Sequence, residues 1–314
     1  MHQWTFLELA KRVLEEEKKP LSPEEIWNLA IAKGYDKNLG SQGKTPLATL
    51  GARLYVDVKR GLTSPFISTD SRPKRFFLRS LLTESSEQKI LEAAQSPVIV
   101  RKKIEYLEKD LHPFLAFYGY HYMRAYLKTI HHSKSDKKEY GEWVHPDMVG
   151  CYYPFGEWKD EVVGFSSVLG SIAIKLFSFE LKRTLNFSNL REAFFQAVSN
   201  SSWANEGYLA AAEISNDDDF LNELKRLSTS FGIGVIRIDI EDPDSTEVIF
   251  PAKPKEFLDW DAINKLTMNP DFKEFLKRVR IDISSKEIRE EMYDKILSKE
   301  DLPKIIRSHK PVAM

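Results

Sequence analysis

The chain has 314 residues, 42% of them hydrophobic and 30% charged, which is the profile of a folded globular protein and excludes a disordered or fibrous one. One cysteine, Cys151, excludes a disulfide framework and a cysteine-rich zinc site. The net charge of -1 hides an asymmetry: residues 1–82 carry 14 Lys and Arg against 9 Asp and Glu, and within them residues 37–79 carry 9 against 2, which points to a polyanion-binding module attached to something else.

Residues 4–18 read as an amphipathic helix with Phe6, Leu7, Ala10, Val13 and Leu14 on its apolar stripe. Ser22-Pro23-Glu24-Glu25 reads as the start of a second helix, with a cap, a proline at the first helical position and an acidic first turn. It runs to Gly34. Thr45-Pro46 opens a third helix to about Arg60, with Leu47, Leu50, Leu54 and Val58 inside. Phe66–Ser68 and Phe76–Leu78 read as two short strands around a basic turn. Three helices and a hairpin make the winged-helix variant of helix-turn-helix, with the third helix aimed at the major groove and the wing at the backbone or minor groove. The candidate DNA contacts are Lys44, Thr45, Arg53, Lys59 and Arg60, plus Arg72, Lys74 and Arg75 in the wing. Most would meet phosphates, so affinity should depend on salt. The competing reading is a solvated surface on a protein-interaction module; the one-sided charge favours DNA.

The segments L-S-P-E-E-I-W at 21–27, K-T-P-L-A-T-L-G-A-R-L-Y at 44–55 and R-F-F-L-R at 75–79 resemble the HARE-HTH family. That family's winged helices are attached to restriction endonucleases, chromatin regulators and a bacterial RNA-polymerase subunit. The resemblance covers about residues 4–80; it implies DNA binding and raises the expectation that base modification influences it.

Residues 81–97 read as a polar linker. From Arg101 to Leu115 a helix or helix-to-loop element carries Glu105, Glu108, Asp110 and His112. Phe117–Ile130 is rich in alternating tyrosines and reads as a first strand, and Trp143–Tyr152 as a second. The third, Ile172–Arg183, is a near-continuous apolar run that suits a strand covered on both faces. Glu180 and Lys182 stand at its expected end and, with a side-chain period of two, leave the same face. Phe177, Phe179 and Leu181 leave the other. Ser188–Val198 reads as a helix, Tyr208–Ile214 as a strand, Asp217–Phe231 as a helix opened by acidic residues, and Gly232–Ile238 as a strand. This order gives an α/β fold with a mixed sheet. The remainder reads as small charged helices, a cap or a DNA-facing appendage. The expected domains are therefore 1–80, a linker at 81–97, a domain at 98–250 and a helical segment at 251–314.

A carboxylate and an ammonium on a buried strand are costly unless paired, hydrogen-bonded or on a metal. Asp147, after Pro146, stands at the start or middle of the preceding strand, 33 residues before Glu180. If the strands pair, both carboxylates meet at one end of the sheet. Two carboxylates would hold Mg²⁺ through oxygen ligands, and Lys182 would orient or help deprotonate a water, or neutralise charge in the transition state. Pro146-Asp147 and Glu180-Leu181-Lys182 resemble the two motif halves of the PD-(D/E)XK nuclease superfamily, and the order of elements agrees. The resemblance implies a further glutamate on the preceding helix, for which Glu108 is the first choice and Glu105 the second, and in some members a glutamine on the following helix, where Gln196 stands. Five histidines lie between 112 and 145; their irregular spacing favours packed or surface roles, with His145, alternating with Asp147 on one face, the best placed to approach a phosphate.

Together the two halves resemble the HrgA-type restriction-endonuclease-like proteins: a winged-helix domain, a PD-(D/E)XK-type mixed-sheet nuclease fold and a C-terminal helical segment. The expectation is a Mg²⁺-dependent endonuclease acting on double-stranded DNA, dimeric on its substrate, cytoplasmic, with no membrane span and no signal peptide. The alternatives are a non-catalytic DNA-binding regulator on a nuclease-like scaffold and a transcription-associated protein-interaction factor.

Overall fold

The computed structural model describes residues 3–40, 46–58, 60–69, 74–82, 106–134, 145–155, 158–168 and 174–307. The chain divides into two compact units, Met1–Lys103 and Ile104–Met314. Among the described residues no helix is long and apolar enough to cross a membrane.

The first unit holds α1 (Phe6–Glu17), α2 (Pro23–Ala32), α3 (Pro46–Val58) and the antiparallel pair β1 (Phe66–Ser68) and β2 (Phe76–Leu78). Both of the first two helices open on a capping box, Thr5 with Glu8 and Ser22 with Glu25. Each box satisfies two backbone donors and is worth about 1 kcal/mol. Leu9, Ala10, Val13 and Leu14 are buried with Ile26, Ala30, Leu50 and Leu54 under Phe66, Phe76 and Leu78. Leu21 exchanges two backbone hydrogen bonds with Phe76, of 3.0 and 2.7 Å, which adds a third short limb to the wing. The winged-helix topology is thus complete.

The second unit opens with a 3-10 turn, Glu108–Leu111, and α4 (His112–Tyr118). A π turn, Gly119–Met123, leads into β3 (Ala125–Thr129). The sequence expectation of a strand from Phe117 fails here. Phe117 packs on His121 at 4.4 Å and Tyr118 stacks on Tyr122 at 5.0 Å, pairs four residues apart that a helical turn brings together. Pro113 starts the helix and Gly119 lets it lie against β3; a Cβ there would stand 2.3 Å from Leu127 Cδ1. Then come β4 (Met148–Tyr152), α5 (Asp160–Val168), β5 (Lys175–Leu185), α6 (Leu190–Ser199), β6 (Glu206–Ile214), α7 (Asp218–Phe231), β7 (Gly234–Arg237) and β8 (Glu247–Phe250). The sheet runs β3-β4-β5-β6-β7-β8 in spatial order. β3, β4 and β5 are antiparallel, β5, β6 and β7 parallel, and β8 antiparallel again.

Both faces of this sheet are covered, which explains the unbroken apolar run of β5. Phe177, Phe179 and Leu181 pack with Phe114 and Leu115 of α4 on one face, as their alternation requires. Their burial contributes about 1.5–3 kcal/mol each. The other face lies under α6 and α7 near β6, and under α8 (Trp260–Leu266) and α9 (Pro270–Ser285) near β4. α10 (Leu302–Arg307) returns to the first face through Leu302 and Ile306. Residues 251–307 contribute to the core of this unit, where the sequence read as a helical cap or a DNA-facing appendage.

Candidate functional site

β5 does not end at Glu180 and Lys182 as its sequence suggested; it continues to Leu185 along β6. What ends there is its pairing with β4, whose last partners are Met148 and Phe179. Pro146 has no backbone N–H, so β4 cannot begin earlier as a ladder strand. The sheet is notched at this point, and Asp147 sits in the notch. Its Oδ2 accepts from Leu181 N at 2.7 Å, and its own carbonyl accepts from Ile130 N, just past β3 on the other side. Continuing the antiparallel register by one residue sets Asp147 opposite Glu180 on the same face.

Glu180 is 1% exposed. Its Oε1 accepts from Lys182 Nζ at 2.7 Å and its Oε2 from Asn200 Nδ2 at 3.1 Å. Burial and the nearby Asp147 charge push its carboxyl up to about 7 despite these bonds. Burial also pushes Asp147 up, but the His132 contact, the Leu181 N–H and the Lys182 charge outweigh it and hold that carboxyl below its usual range. Burial works against the Lys182 ammonium, and Glu180, Asp147 and Glu108 together outweigh it, so Lys182 is held charged. Glu108, half-buried on the 3-10 turn, is raised by burial, which the Lys182 charge opposes and the Asp147 charge reinforces; the Arg183 N–H also opposes it. The four residues Glu108, Asp147, Glu180 and Lys182 thus act on one another in one place. Glu105 lies outside the described residues.

Two further residues join them that the sequence did not single out for this role. His132, just past β3, places Nε2 3.3 Å from Asp147 Oδ1, an ion-pair distance with poor hydrogen-bond geometry. This contact raises its pKa, while burial lowers it. The loop that carries His132 is held by α9: Asp271 takes His131 Nδ1 and Lys134 Nζ, each at 2.8 Å. Asn200, at the end of α6, occupies the part expected of Gln196. Its Nδ2 reaches both Glu180 and the His145 carbonyl. Gln196 is half-buried one turn earlier, and among the described residues its side chain hydrogen-bonds to neither carboxylate. His145 is buried beside the site and supplies that backbone acceptor.

A cleft of about 650 Å³ opens beside these groups, lined by Glu108, Asp147, His132, His112, Thr129 and Asp294 among others. Asp147 and Glu180 offer hard oxygen donors of the kind Mg²⁺ takes. Among the described residues no three His, Cys, Asp or Glu side chains form a closed metal cluster. Mg²⁺ needs no such cage, because water and phosphate supply most of its ligands. The donor set fits a cation of that class.

In the first unit Arg53 is exposed on α3. Arg60 is exposed and pairs with Asp57 at 3.1 Å. Lys74 lies 5.9 Å from the Tyr55 ring centroid. Arg75 is tied down: Nη1 bonds Glu25 Oε2 at 2.7 Å and the Pro20 carbonyl at 3.2 Å, which braces the wing against α2. Lys44, Thr45, Lys59 and Arg72 lie outside the described residues.

No curated protein and no solved structure matches the chain. Residues 4–80 match the family model of the HARE-HTH domain, a helix-turn-helix domain whose description names ASXL proteins and restriction endonucleases among its carriers. The match supports DNA binding by the first unit and covers none of the second. Residues 4–80, with their three helices and wing, are a HARE-HTH domain.

Proposed function

We propose that the protein is a Mg²⁺-dependent endonuclease of restriction or defence type that cuts double-stranded DNA recruited by its HARE-HTH domain. The observation that carries this reading is the convergence of Asp147 and Glu180 at the notch of the sheet, two like charges with Lys182 beside them. Burial and mutual repulsion make that arrangement costly for folding alone, and sites tuned in this way are characteristic of function. The order helix, three antiparallel strands, helix and parallel strand supports the PD-(D/E)XK reading.

Asp147 and Glu180 would hold the cation, with Leu181 N–H fixing the Asp147 carboxylate and Asn200 fixing that of Glu180. The cation, when bound, supplies positive charge at the phosphoryl group and acidifies water. Lys182, kept charged by its neighbours, neutralises charge that develops on the phosphate oxygens. Glu108 orients water at the cleft side. Cutting both strands needs two such sites, so the protein would act as a homodimer on DNA.

The test is cleavage of methylated and unmethylated plasmid with Mg²⁺ or EDTA, by the parent, Asp147→Ala and Lys182→Ala. Metal-dependent cutting by the parent alone is expected. Equal cutting by the variants would remove the site assignment. One observation favours a second reading, a DNA-binding regulator: Lys182 and Asn200 already satisfy both Glu180 oxygens, so the site is closed without a ligand. DNA binding with no cleavage of any substrate would select that reading.

A further inference from the structure

Lys182 is a donor-only ammonium engaged by Glu180, so it cannot itself take the proton of an attacking water. The lining of the cleft holds a group with a free lone pair. Asp294, from the stretch between α9 and α10, accepts from Thr129 N at 2.8 Å and from Thr129 Oγ1 at 2.5 Å with the same oxygen. A carboxylate has no proton to give, so the Thr129 hydroxyl commits its only proton to Asp294. Its oxygen is left as an acceptor, and His112 Nδ1, 3.0 Å away, is the donor. His112 therefore carries its proton on Nδ1 and a lone pair on Nε2. Nε2 has no hydrogen-bond partner among the described residues, and the ring lines the same cleft as Asp147, Glu108 and His132.

We propose that His112 Nε2 accepts the proton of the water that attacks the phosphodiester, with Thr129 and Asp294 as positioning residues that fix its tautomer. This rests on the nuclease reading. Water gives one proton to Nε2 as its oxygen bonds to phosphorus. The bond from phosphorus to the leaving sugar oxygen breaks with its electron pair, and that oxygen takes a proton from solvent. His112 then returns its proton to solvent. Burial keeps the imidazole below its usual pKa against the pull of Asp147 and Asp294, so it is neutral and able to accept near pH 7. The charged groups that face it are Asp147, Asp294, His131 and His132, with Glu108 and Lys295 on the cleft walls.

Two measurements on the full chain test this. The first is a long-range ¹⁵N–¹H spectrum of the metal-free protein, with His112 assigned by its loss in His112→Gln. Protonated Nδ1 and bare Nε2 are expected, and Thr129→Val should release that tautomer. The second is DNA cleavage with Mg²⁺ between about pH 5 and 9 by the parent, H112Q, T129V, D294N and D147N. H112Q should lower kcat about 100-fold or more with KM nearly unchanged and take the His112 contribution out of the acidic limb, leaving the limb that Glu180 imposes. T129V and D294N should give smaller losses with a shifted limb. Parent-like rate and profile in H112Q, or protonated Nε2 in the parent spectrum, would overturn the proposal while D147N still reports on the nuclease. A parent that cuts no DNA ends the nuclease reading and this proposal with it.

Discussion

Glu180→Gln should stabilise the second unit at alkaline pH while abolishing DNA cleavage. In the folded protein the Glu180 carboxyl rises from its ordinary 4.5 to about 7, first through burial and then through Asp147. Between those values the folded state holds a proton that the unfolded chain has lost, so stability falls as pH rises through the window and is lowest above about 7. The difference corresponds to about 3 kcal/mol. Glutamine carries no charge and escapes the penalty. The Lys182 ammonium loses one partner but keeps Asp147, which offsets part of the gain and leaves about 1–3 kcal/mol. For a unit of this size that is a rise of roughly 3–10 °C in Tm. Calorimetry of the parent and E180Q at about pH 5 and pH 8, in EDTA, reads it. The two proteins should nearly coincide at the lower pH and separate at the higher one. Mg²⁺ at the higher pH should recover stability in the parent and little in E180Q. A parent more stable than E180Q at pH 8 without metal would refute the reasoning, because the Lys182 pair would then outweigh the desolvation of Glu180.

Asn200→Leu leaves Glu180 Oε2 and the His145 carbonyl without their buried donor, and a loss of about 2–4 kcal/mol in urea unfolding is expected, with weaker Mg²⁺ binding. Arg53→Ala should weaken duplex binding at every sequence and reduce the salt slope by about one. Arg75→Ala should instead loosen the wing: its partner Glu25 is pushed up by burial but held below its usual range by Ser22 N–H and Arg75, so the stability it brings is present at neutral pH and lost as pH falls through that lowered value. A thermal scan of R75A that shows no change in the first unit's acid unfolding would contradict this bracing. Gly119→Ala must push Leu127 aside and should cost about 1–3 kcal/mol in the second unit's thermal stability.

The parts of the fold that can be read from the sequence are those set by local rules. Ser22-Pro23-Glu24-Glu25 announces a helix start because its cap works within one turn. The run before Glu180 announces a buried strand because both faces need apolar residues. Phe117–Met123 misleads because tyrosines at every second position imitate a strand, while Phe117 with His121 and Tyr118 with Tyr122 satisfy the helical period equally well. Asp147, Glu180 and Lys182 can be picked out because a short motif and a strand period relate them. His132, Asn200 and Asp294 cannot, because each reaches its partner from a loop or helix end whose position tertiary packing decides. Asn200 had one available signal, its place at the end of an amphipathic helix that follows the motif strand. Asp294 had none: 165 residues separate it from Thr129.

The notch in the sheet has a consequence for how the site is assembled. The Leu181 amide faces the side on which the next ladder bond to β4 would form, and the Asp147 carboxylate takes it. Asp147 thus caps an unfinished strand pair much as an N-cap side chain finishes a helix. Zipping the sheet further and building the site compete for the same backbone donor. Pro146, which has no donor of its own, tips that competition toward the carboxylate. A chain in which position 146 could extend the ladder would gain a longer strand and lose the seat of its first acidic residue.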